Sequence, residues 1–282
     1  MTRRTDLPVA DPTGLDERSL ERVRALIHAA SGIVLGRNKA SMVRARLSKR
    51  LAATGCSDVP SYLDMIESPD HAGERMELVW AMTTNVTQFF REAHHFETLR
   101  ALAASHAGRA TPLRIWSAAC STGQEPYSIA MTLAEAGLPA PAARILATDI
   151  DRKSLARAAE GRFAAGTLDG LDPGLRRRYF MPDGGGERVV DPIRKMIAFR
   201  PLNLNGSWPF QTRFDAIFCR NVAIYFDATT QTTLWSRLID RLVPGGWLFV
   251  GHSERLPDTL LGCVTYAGQT SYQKTAAEAE SA

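Results

Sequence analysis

The chain has 282 residues, of which 45% are hydrophobic and 23% charged, a composition that excludes a disordered or fibrous class and leaves room for one moderate domain plus a smaller one. A net charge of +4 is too small to require nucleic acid as a partner, and no apolar run approaches the roughly 18 residues of a membrane span. The start MTRRTDLPVADPTG lacks the apolar stretch of a secretory signal, so the expectation is a cytoplasmic protein without membrane insertion.

Residues 1–14 carry Pro8, Pro12 and Gly14 with little apolar content and are expected to form a flexible tail. From 15 to 80 the pattern is that of a small helical domain. Leu20, Val23, Ile27 and Ala30 recur at spacings of three and four, as do Val43, Leu47 and Leu51, with Gly32, Gly55 and Pro60 as punctuation; about four short helices are expected. Arg37, Lys39, Arg44, Arg46, Lys49 and Arg50 fall within 37–50 without any acid, and Arg46, Lys49 and Arg50 share a helix face. That face suits acidic partner helices, and the solvated surface is its bland alternative. Interleaved aromatics are missing, which argues against nucleic acid.

Residues 81–92, containing TTNVTQFFR at 83–91, read as a linker that contributes to a ligand site, and 93–282 as the larger domain. There, apolar runs of strand length stand at 113–119, 143–149, 196–201, 214–219 and 247–253, separated by helical patterns at 125–136, 154–159 and 228–242. Runs with little alternation imply strands buried on both faces, joined by parallel crossovers into a doubly wound α/β sheet. Alternation in CVTYAGQTSYQK at 263–274 predicts an antiparallel hairpin at one edge. Between about 161 and 200 the crossover is too long for one helix and contains PDGGGE, which predicts an inserted antiparallel hairpin.

Three strand ends carry candidate chemistry. LRIWSAACSTGQEPYSIA runs strand, turn, helix, but it is not GxGxxG, and Glu125 in the first helical turn disfavours a pyrophosphate. A cationic or zwitterionic adenosyl ligand tolerates that carboxylate better. Asp149 ends the second strand in ATDID, where an acid typically accepts from ribose hydroxyls; helix capping is the alternative, and Asp151 serves it at least as well. Arg220 and Asn221 end the strand FDAIFC, with Tyr225 one turn later. Cys56, Cys120, Cys219 and Cys263 form no CxxC pair, and His94, His95 and His252 have no compelling ligand spacing, so no metal site is expected.

Taken in order, TNVTQFFRE, SAACSTGQEPYSIA, ATDID, NLN at 203–205, FDAIFCRNVAIYFD and GHSE at 251–254 resemble the CheR family of chemotaxis receptor methyltransferases over about 15–274. The resemblance implies an S-adenosylmethionine-dependent methyltransferase fold with a small N-terminal all-α domain and a small inserted antiparallel β-subdomain. It implies that Asn85, Thr87, Arg91, Glu125, Asp149, Asn203, Leu204, Arg220 and Asn221 surround S-adenosylmethionine, with Asp149 on the ribose. Arg91 and Tyr225 stand where the family places the reacting groups. The activity implied is glutamate O-methylation on the cytoplasmic helical region of chemoreceptors, with S-adenosylhomocysteine as the other product. Arg44, Arg46, Lys49 and Arg50 would then bind the receptor. In some members the β-subdomain captures a C-terminal receptor peptide; the PDGGGE loop is short by comparison, which argues against such tethering here. Cys120 replaces another small residue of many relatives. A monomer is expected, since no apolar stripe remains unassigned. A methyltransferase with another acceptor, such as a small acid or RNA, and a cofactor-binding sensor or adaptor remain open alternatives.

Overall fold

The computed structural model describes residues 15–275, which divide into two compact units, one up to Thr83 and one from Thr84. The expected tail at 1–14 lies outside the described residues. In the first unit four α-helices, α1 (Glu17–Ser31), α2 (Ala40–Thr54), α3 (Val59–Glu67) and α4 (Ala72–Met82), bury Val23, Ile27, Val43, Leu47, Leu63, Ile66 and Leu78 together. Their ends follow from local chemistry. Asp16 and Asp58 accept from the amides of Ser19 and Ser61, worth about 1 kcal/mol per cap, while α1 and α2 stop at Gly32 and Gly55 in the left-handed conformation.

The second unit opens with a loop and α5 (His94–His106), followed by β1 (Leu113–Ala118), α6 (Gln124–Glu135), β2 (Ala143–Asp149) and α7 (Arg152–Glu160). Next come β3 (Arg162–Ala164), α8 (Pro173–Tyr179), β4 (Phe180–Asp183), β5 (Gly186–Val189) and the single turn α9 (Asp191–Arg194). The chain closes with β6 (Ile197–Pro201), β7 (Phe214–Cys219), α10 (Ala228–Asp240), β8 (Leu242–Val250), β9 (Val264–Gly268) and β10 (Ser271–Lys274). Seven strands form one sheet in the order β6-β2-β1-β7-β8-β10-β9. Strands β6, β2, β1, β7 and β8 are mutually parallel, and β10 enters antiparallel between β8 and β9. The chain winds outward from β1 to β2 and β6, then returns to β7 and β8 on the other side. The switch point therefore lies between β1 and β7, where open α/β sheets bind ligands outside the carboxyl ends of their strands. Ile115, Trp116, Ala216, Ile217, Leu248 and Phe249 are fully buried, as expected for strands covered on both faces.

Two elements differ from the sequence expectation. The insertion is a three-stranded antiparallel sheet, β3-β5-β4, because β3 precedes the hairpin and pairs with β5. Strand β8 begins at Leu242, before the apolar run; Val243–Gly246, reading VPGG, is turn-like in sequence, and the register with β7 shifts between Phe214 and Ala216. Gly246 permits this, since a Cβ there would stand 2.9 Å from the Val243 carbonyl. Among the described residues no helix is long and apolar enough to cross a membrane.

Candidate active site

The carboxyl ends of β1, β2, β6, β7 and β8 share one edge of the sheet, and the backbone strain of the molecule gathers there. Six non-glycine residues have left-handed φ among the described residues; five of them, Phe90 (51°), Glu92 (59°), Ala119 (65°), Ser121 (51°) and Asn221 (57°), belong to the loops at this edge. Each costs on the order of 1 kcal/mol, so the surrounding contacts must hold them.

After β1 the chain turns through Gly123, at φ 100°, where a Cβ would lie 3.0 Å from the Ala158 Cβ and 3.2 Å from the Tyr127 ring. The turn thus sits close against α7, an approach that a side chain at 123 would block. Asp149 ends β2 and is buried; its Oδ2 accepts from the Ser121 amide at 2.7 Å and its Oδ1 from the Asp151 amide at 2.8 Å. Burial raises its pKa to about 6 in spite of those bonds. Asp151, not Asp149, caps α7 by accepting from the amides of Lys153 and Ser154. Asn85 Nδ2 donates to Asp151 Oδ2 (2.9 Å) and Ser154 Oγ (3.0 Å), and the Phe90 amide donates to Ser128 Oγ (2.9 Å). The loop from Asn85 to Glu92 is thereby tied down beside Asp149.

At the end of β7, the Arg220 side chain is 2% exposed and lies between two carboxylates, Glu92 Oε2 at 3.4 Å and Glu125 Oε2 at 3.3 Å. Its Nη2 also donates to the Arg91 carbonyl, while Ser117 Oγ donates to Glu125 Oε1 at 2.6 Å. Burial raises the Glu125 pKa, with Arg220 opposing. Arg220 Nε, Glu92 Oε2 and His95 Nδ1 are buried without a hydrogen-bond partner, the state of polar groups arranged to receive one. A zwitterionic ligand suits this set of paired carboxylates and guanidinium. Glu92, His94 and His95 also bring one ligand atom each within 4.8 Å of one another, but Arg220 beside Glu92 and the amino end of α5 both oppose a dication there. Burial, then Arg220, hold His95 near pKa 3, hence neutral.

The other anticipated residues sit on the neighbouring loops. Leu204 is buried and Asn203 half-buried just past β6; Arg237 of α10 stacks 4.0 Å from the Trp208 ring and donates to the carbonyls of Leu204 (2.9 Å) and Gly206 (2.6 Å), which fixes that loop. Asn221 follows Arg220, and Tyr225 ends a 3-10 turn, half-buried, its hydroxyl without a partner among the described residues. Thr87 is half-buried and Arg91 is 29% exposed, with Nη1 donating to the Val86 carbonyl at 3.3 Å. Cys120 is buried, and burial followed by the charge of Asp149 pushes its thiol up, so it stays protonated.

In the first unit Arg44 and Lys49 are exposed on α2, whereas Arg46 Nη1 donates to the Thr83 carbonyl at 3.0 Å. Arg50 turns inward: Nε donates to Glu74 Oε1 at 2.9 Å, and Tyr62 donates to the same oxygen at 2.7 Å. The basic face is therefore narrower than the helical spacing suggested.

Sequence reasoning passed over Glu92, Ser117 and Glu254. Each had a signal, since Glu92 and Glu254 close the blocks TNVTQFFRE and GHSE, and Ser117 is a polar residue inside an apolar strand.

The family model described as CheR methyltransferase, all-alpha domain, matches residues 18–83, and the one described as CheR methyltransferase, SAM binding domain, matches 85–270. A chemotaxis protein methyltransferase of Escherichia coli is 43% identical over 273 residues, covering 94% of this chain and 94% of that protein. A probable chemotaxis protein methyltransferase of Rhizobium etli is 42% identical over 264 residues (89% and 97%), and chemotaxis protein methyltransferase 2 of Pseudomonas aeruginosa 42% over 258 (89% and 91%). S-adenosylmethionine is thus the cofactor, and the chain belongs to the CheR methyltransferase family.

Proposed function

We propose that this methyltransferase esterifies glutamate side chains on the cytoplasmic helical region of chemoreceptors, and that Arg91 and Tyr225 are the residues that meet the acceptor. The observation that carries the reading is Arg220, which joins the two: it grips the Arg91 carbonyl and heads the short segment that ends in Tyr225. Asn85, Thr87, Glu125, Asp149, Asn203, Leu204, Arg220 and Asn221 surround the cofactor. Asp149 accepts from the ribose hydroxyls, and the Glu92–Arg220–Glu125 set faces the zwitterionic amino-acid portion. The orphaned Arg220 Nε and Glu92 Oε2 support this fit, as does the close backbone turn at Gly123.

Held by Asp149 at the ribose and by the Glu92–Arg220–Glu125 set at the amino-acid portion, S-adenosylmethionine would supply an electrophilic methyl group on a sulfonium, transferable to a glutamate oxygen with the C–S electron pair remaining on sulfur. The acceptor carboxylate is already ionised near neutral pH, so no proton changes hands and no general base is needed. The residues of the chain supply alignment and partial dehydration, and a water-poor site favours a transition state in which carboxylate and sulfonium charges cancel. Arg91 orients the carboxylate. The Tyr225 hydroxyl donates to the oxygen that does not attack, and helps turnover only insofar as that bond strengthens toward the transition state.

Arg44, Arg46 and Lys49 contact the receptor helices through the exposed side of α2. The enzyme acts as a cytoplasmic monomer and does not depend on a receptor tail peptide. The test is to incubate the protein with methyl-labelled S-adenosylmethionine and a cytoplasmic receptor fragment, then treat the product with mild base. Base-labile label on receptor glutamates is expected; label on another acceptor alone would reassign the substrate. With cofactor binding intact, wild-type turnover in Arg91→Ala or Tyr225→Phe would remove that residue from the mechanism.

A further inference from the structure

The loop that follows β8 carries a buried acid with no counter-ion. Glu254 is 4% exposed, and among the described residues no cationic side chain pairs with it. Its carboxylate is occupied by main-chain amides. Oε2 accepts from Gly251 at 2.6 Å and from Asn221 at 2.7 Å. Oε1 accepts from Ala223 at 2.7 Å, Val222 at 2.9 Å and Ile224 at 3.3 Å. Four consecutive amides, 221 to 224, therefore converge on one side chain. Such a run is an anion-binding concavity, here filled by the chain's own carboxylate.

This arrangement dictates how the backbone leaves β7. Arg220 is held on one side by its two carboxylates and the Arg91 carbonyl, while Asn221 sits in the left-handed region at φ 57°, the turn between two peptide planes whose amides, Asn221 and Val222, both donate to Glu254. Val222, Ala223 and Ile224 then turn around the carboxylate, and the 3-10 turn Ala223–Tyr225 is set by it. The two loops interlock: a Cβ on Gly251 would lie 2.4 Å from Asn221 Nδ2 and 2.7 Å from Asn221 N, so only glycine allows the approach. The Tyr225 side chain makes no hydrogen bond of its own among the described residues, which leaves its backbone as the part that the chain fixes.

We propose that Glu254 is a positioning residue for methyl transfer: its carboxylate shapes the 221–225 turn and thereby aims the Tyr225 hydroxyl at the acceptor carboxylate. The assignment rests on Tyr225 meeting the acceptor, as argued under Proposed function. Glutamine is no substitute, because an amide offers one acceptor oxygen and turns two N–H donors toward other donors. Removing the side chain would instead leave an open nest of amides that a small carboxylate can enter.

The test compares the full-length wild-type protein with Glu254→Gln and Glu254→Ala in steady-state methyl transfer to a receptor fragment, alongside S-adenosylhomocysteine affinity by calorimetry. A third readout is 19F NMR of protein labelled with 3-fluorotyrosine, the Tyr225 line being assigned with Tyr225→Phe. In Glu254→Gln, kcat should fall by about 30-fold or more while receptor KM and product affinity change by less than about threefold, and the Tyr225 line should broaden or split. Added formate should restore several-fold activity to Glu254→Ala and none to Glu254→Gln. A folded Glu254→Gln protein with wild-type kcat and an unmoved Tyr225 line overturns the proposal, as does a loss expressed wholly in cofactor affinity. If Glu254→Gln lacks a cooperative thermal transition, Glu254→Asp decides, since it keeps the charge on a shorter arm: intermediate kcat with a shifted line supports the proposal, and wild-type kcat overturns it. Failure of the wild type to methylate the receptor would reject the proposed function instead, and the Tyr225 line would still report on the turn.

Discussion

Arg220 holds Arg91 by its main chain: the Nη2 of one donates to the carbonyl oxygen of the other across 129 positions of sequence. The residues on either side of Arg91, Phe90 and Glu92, are both left-handed, and such a kink persists only where contacts over-determine it. Arg220 supplies one contact and the Phe90 amide on Ser128 another, so the Arg91 backbone is fixed while its guanidinium stays partly exposed.

Arg220→Met should therefore do more than weaken cofactor binding. It leaves the half-buried Glu92 and Glu125 without their shared cation, a change that costs up to about 3 kcal/mol, the lower end of the range for a fully buried pair. Arg220→Lys keeps a charge but cannot serve both carboxylates and the Arg91 carbonyl with one fork. The expected order of thermal midpoints is wild type, Lys, then Met, with turnover depressed in Arg220→Lys even at saturating cofactor. A Met variant as stable as the wild type would show that Glu92 and Glu125 do not depend on this pairing.

Asp149 makes cofactor affinity depend on pH. With its pKa near 6, the carboxylate is mostly neutral at pH 5 and mostly ionised at pH 7, and the ionised form is the better acceptor for ribose hydroxyls. S-adenosylhomocysteine should bind about tenfold more weakly at pH 5 than at pH 7 by calorimetry. Asp149→Asn should bind weakly at both values and lose most of that pH dependence; an unchanged slope would assign the titration to another group.

Much of this was legible in the chain because it depends on period and order. Buried runs such as FDAIFC gave the parallel strands, and the charged residues that follow them put Glu125, Asp149 and Arg220 at one edge of the sheet. The β3–β5 pairing was not legible, because a three-residue strand carries no period to read. Nor was the inward turn of Arg50: helical spacing places a side chain on a face but says nothing of the acid on another helix that claims it. The block GHSE marked Glu254, but its role was hidden for a related reason, since its partners are backbone amides, which leave no trace in side-chain chemistry.

Stability should respond to acid through two buried groups of opposite sign. His95 has its pKa lowered to about 3, so the unfolded chain binds the proton first and stability falls as pH drops from the usual histidine value of 6.5 toward 3. Asp149 has its pKa raised from 3.8 to about 6, so the folded chain binds the proton first and stability rises as pH drops through that window. Each contributes at most about 1.4 kcal/mol per pH unit, and between pH 4 and 6 the two nearly offset. In His95→Gln only the Asp149 contribution of this pair remains, and chemical denaturation of that variant relative to wild type should shift toward greater stability at pH 4 than at pH 6. An identical pH profile for the two proteins would reject the linkage.

The basic residues of α2 should separate by experiment into two kinds. Arg50 is 17% exposed, bonded to Glu74, which also holds the Tyr62 hydroxyl, and lies 3.5 Å from Glu77. Its removal leaves Glu74 short of its cation inside the helical unit, and hydrogen bonds to charged groups are worth about 1.5–3 kcal/mol each. Arg50→Ala should thus lower the stability of the first unit by about 2 kcal/mol, seen as an earlier transition on chemical denaturation. Arg44 and Lys49 are exposed, so Arg44→Ala and Lys49→Ala should leave the transition within about 0.5 kcal/mol of wild type. If the exposed side of α2 meets an acidic receptor helix, these two variants raise the receptor KM with kcat unchanged, and the effect fades with salt because exposed charges are screened beyond a Debye length of about 10 Å at 0.1 M. Receptor KM values for Arg44→Ala and Lys49→Ala that match the wild type at low salt would remove α2 from the docking surface, whatever Arg50→Ala does to stability.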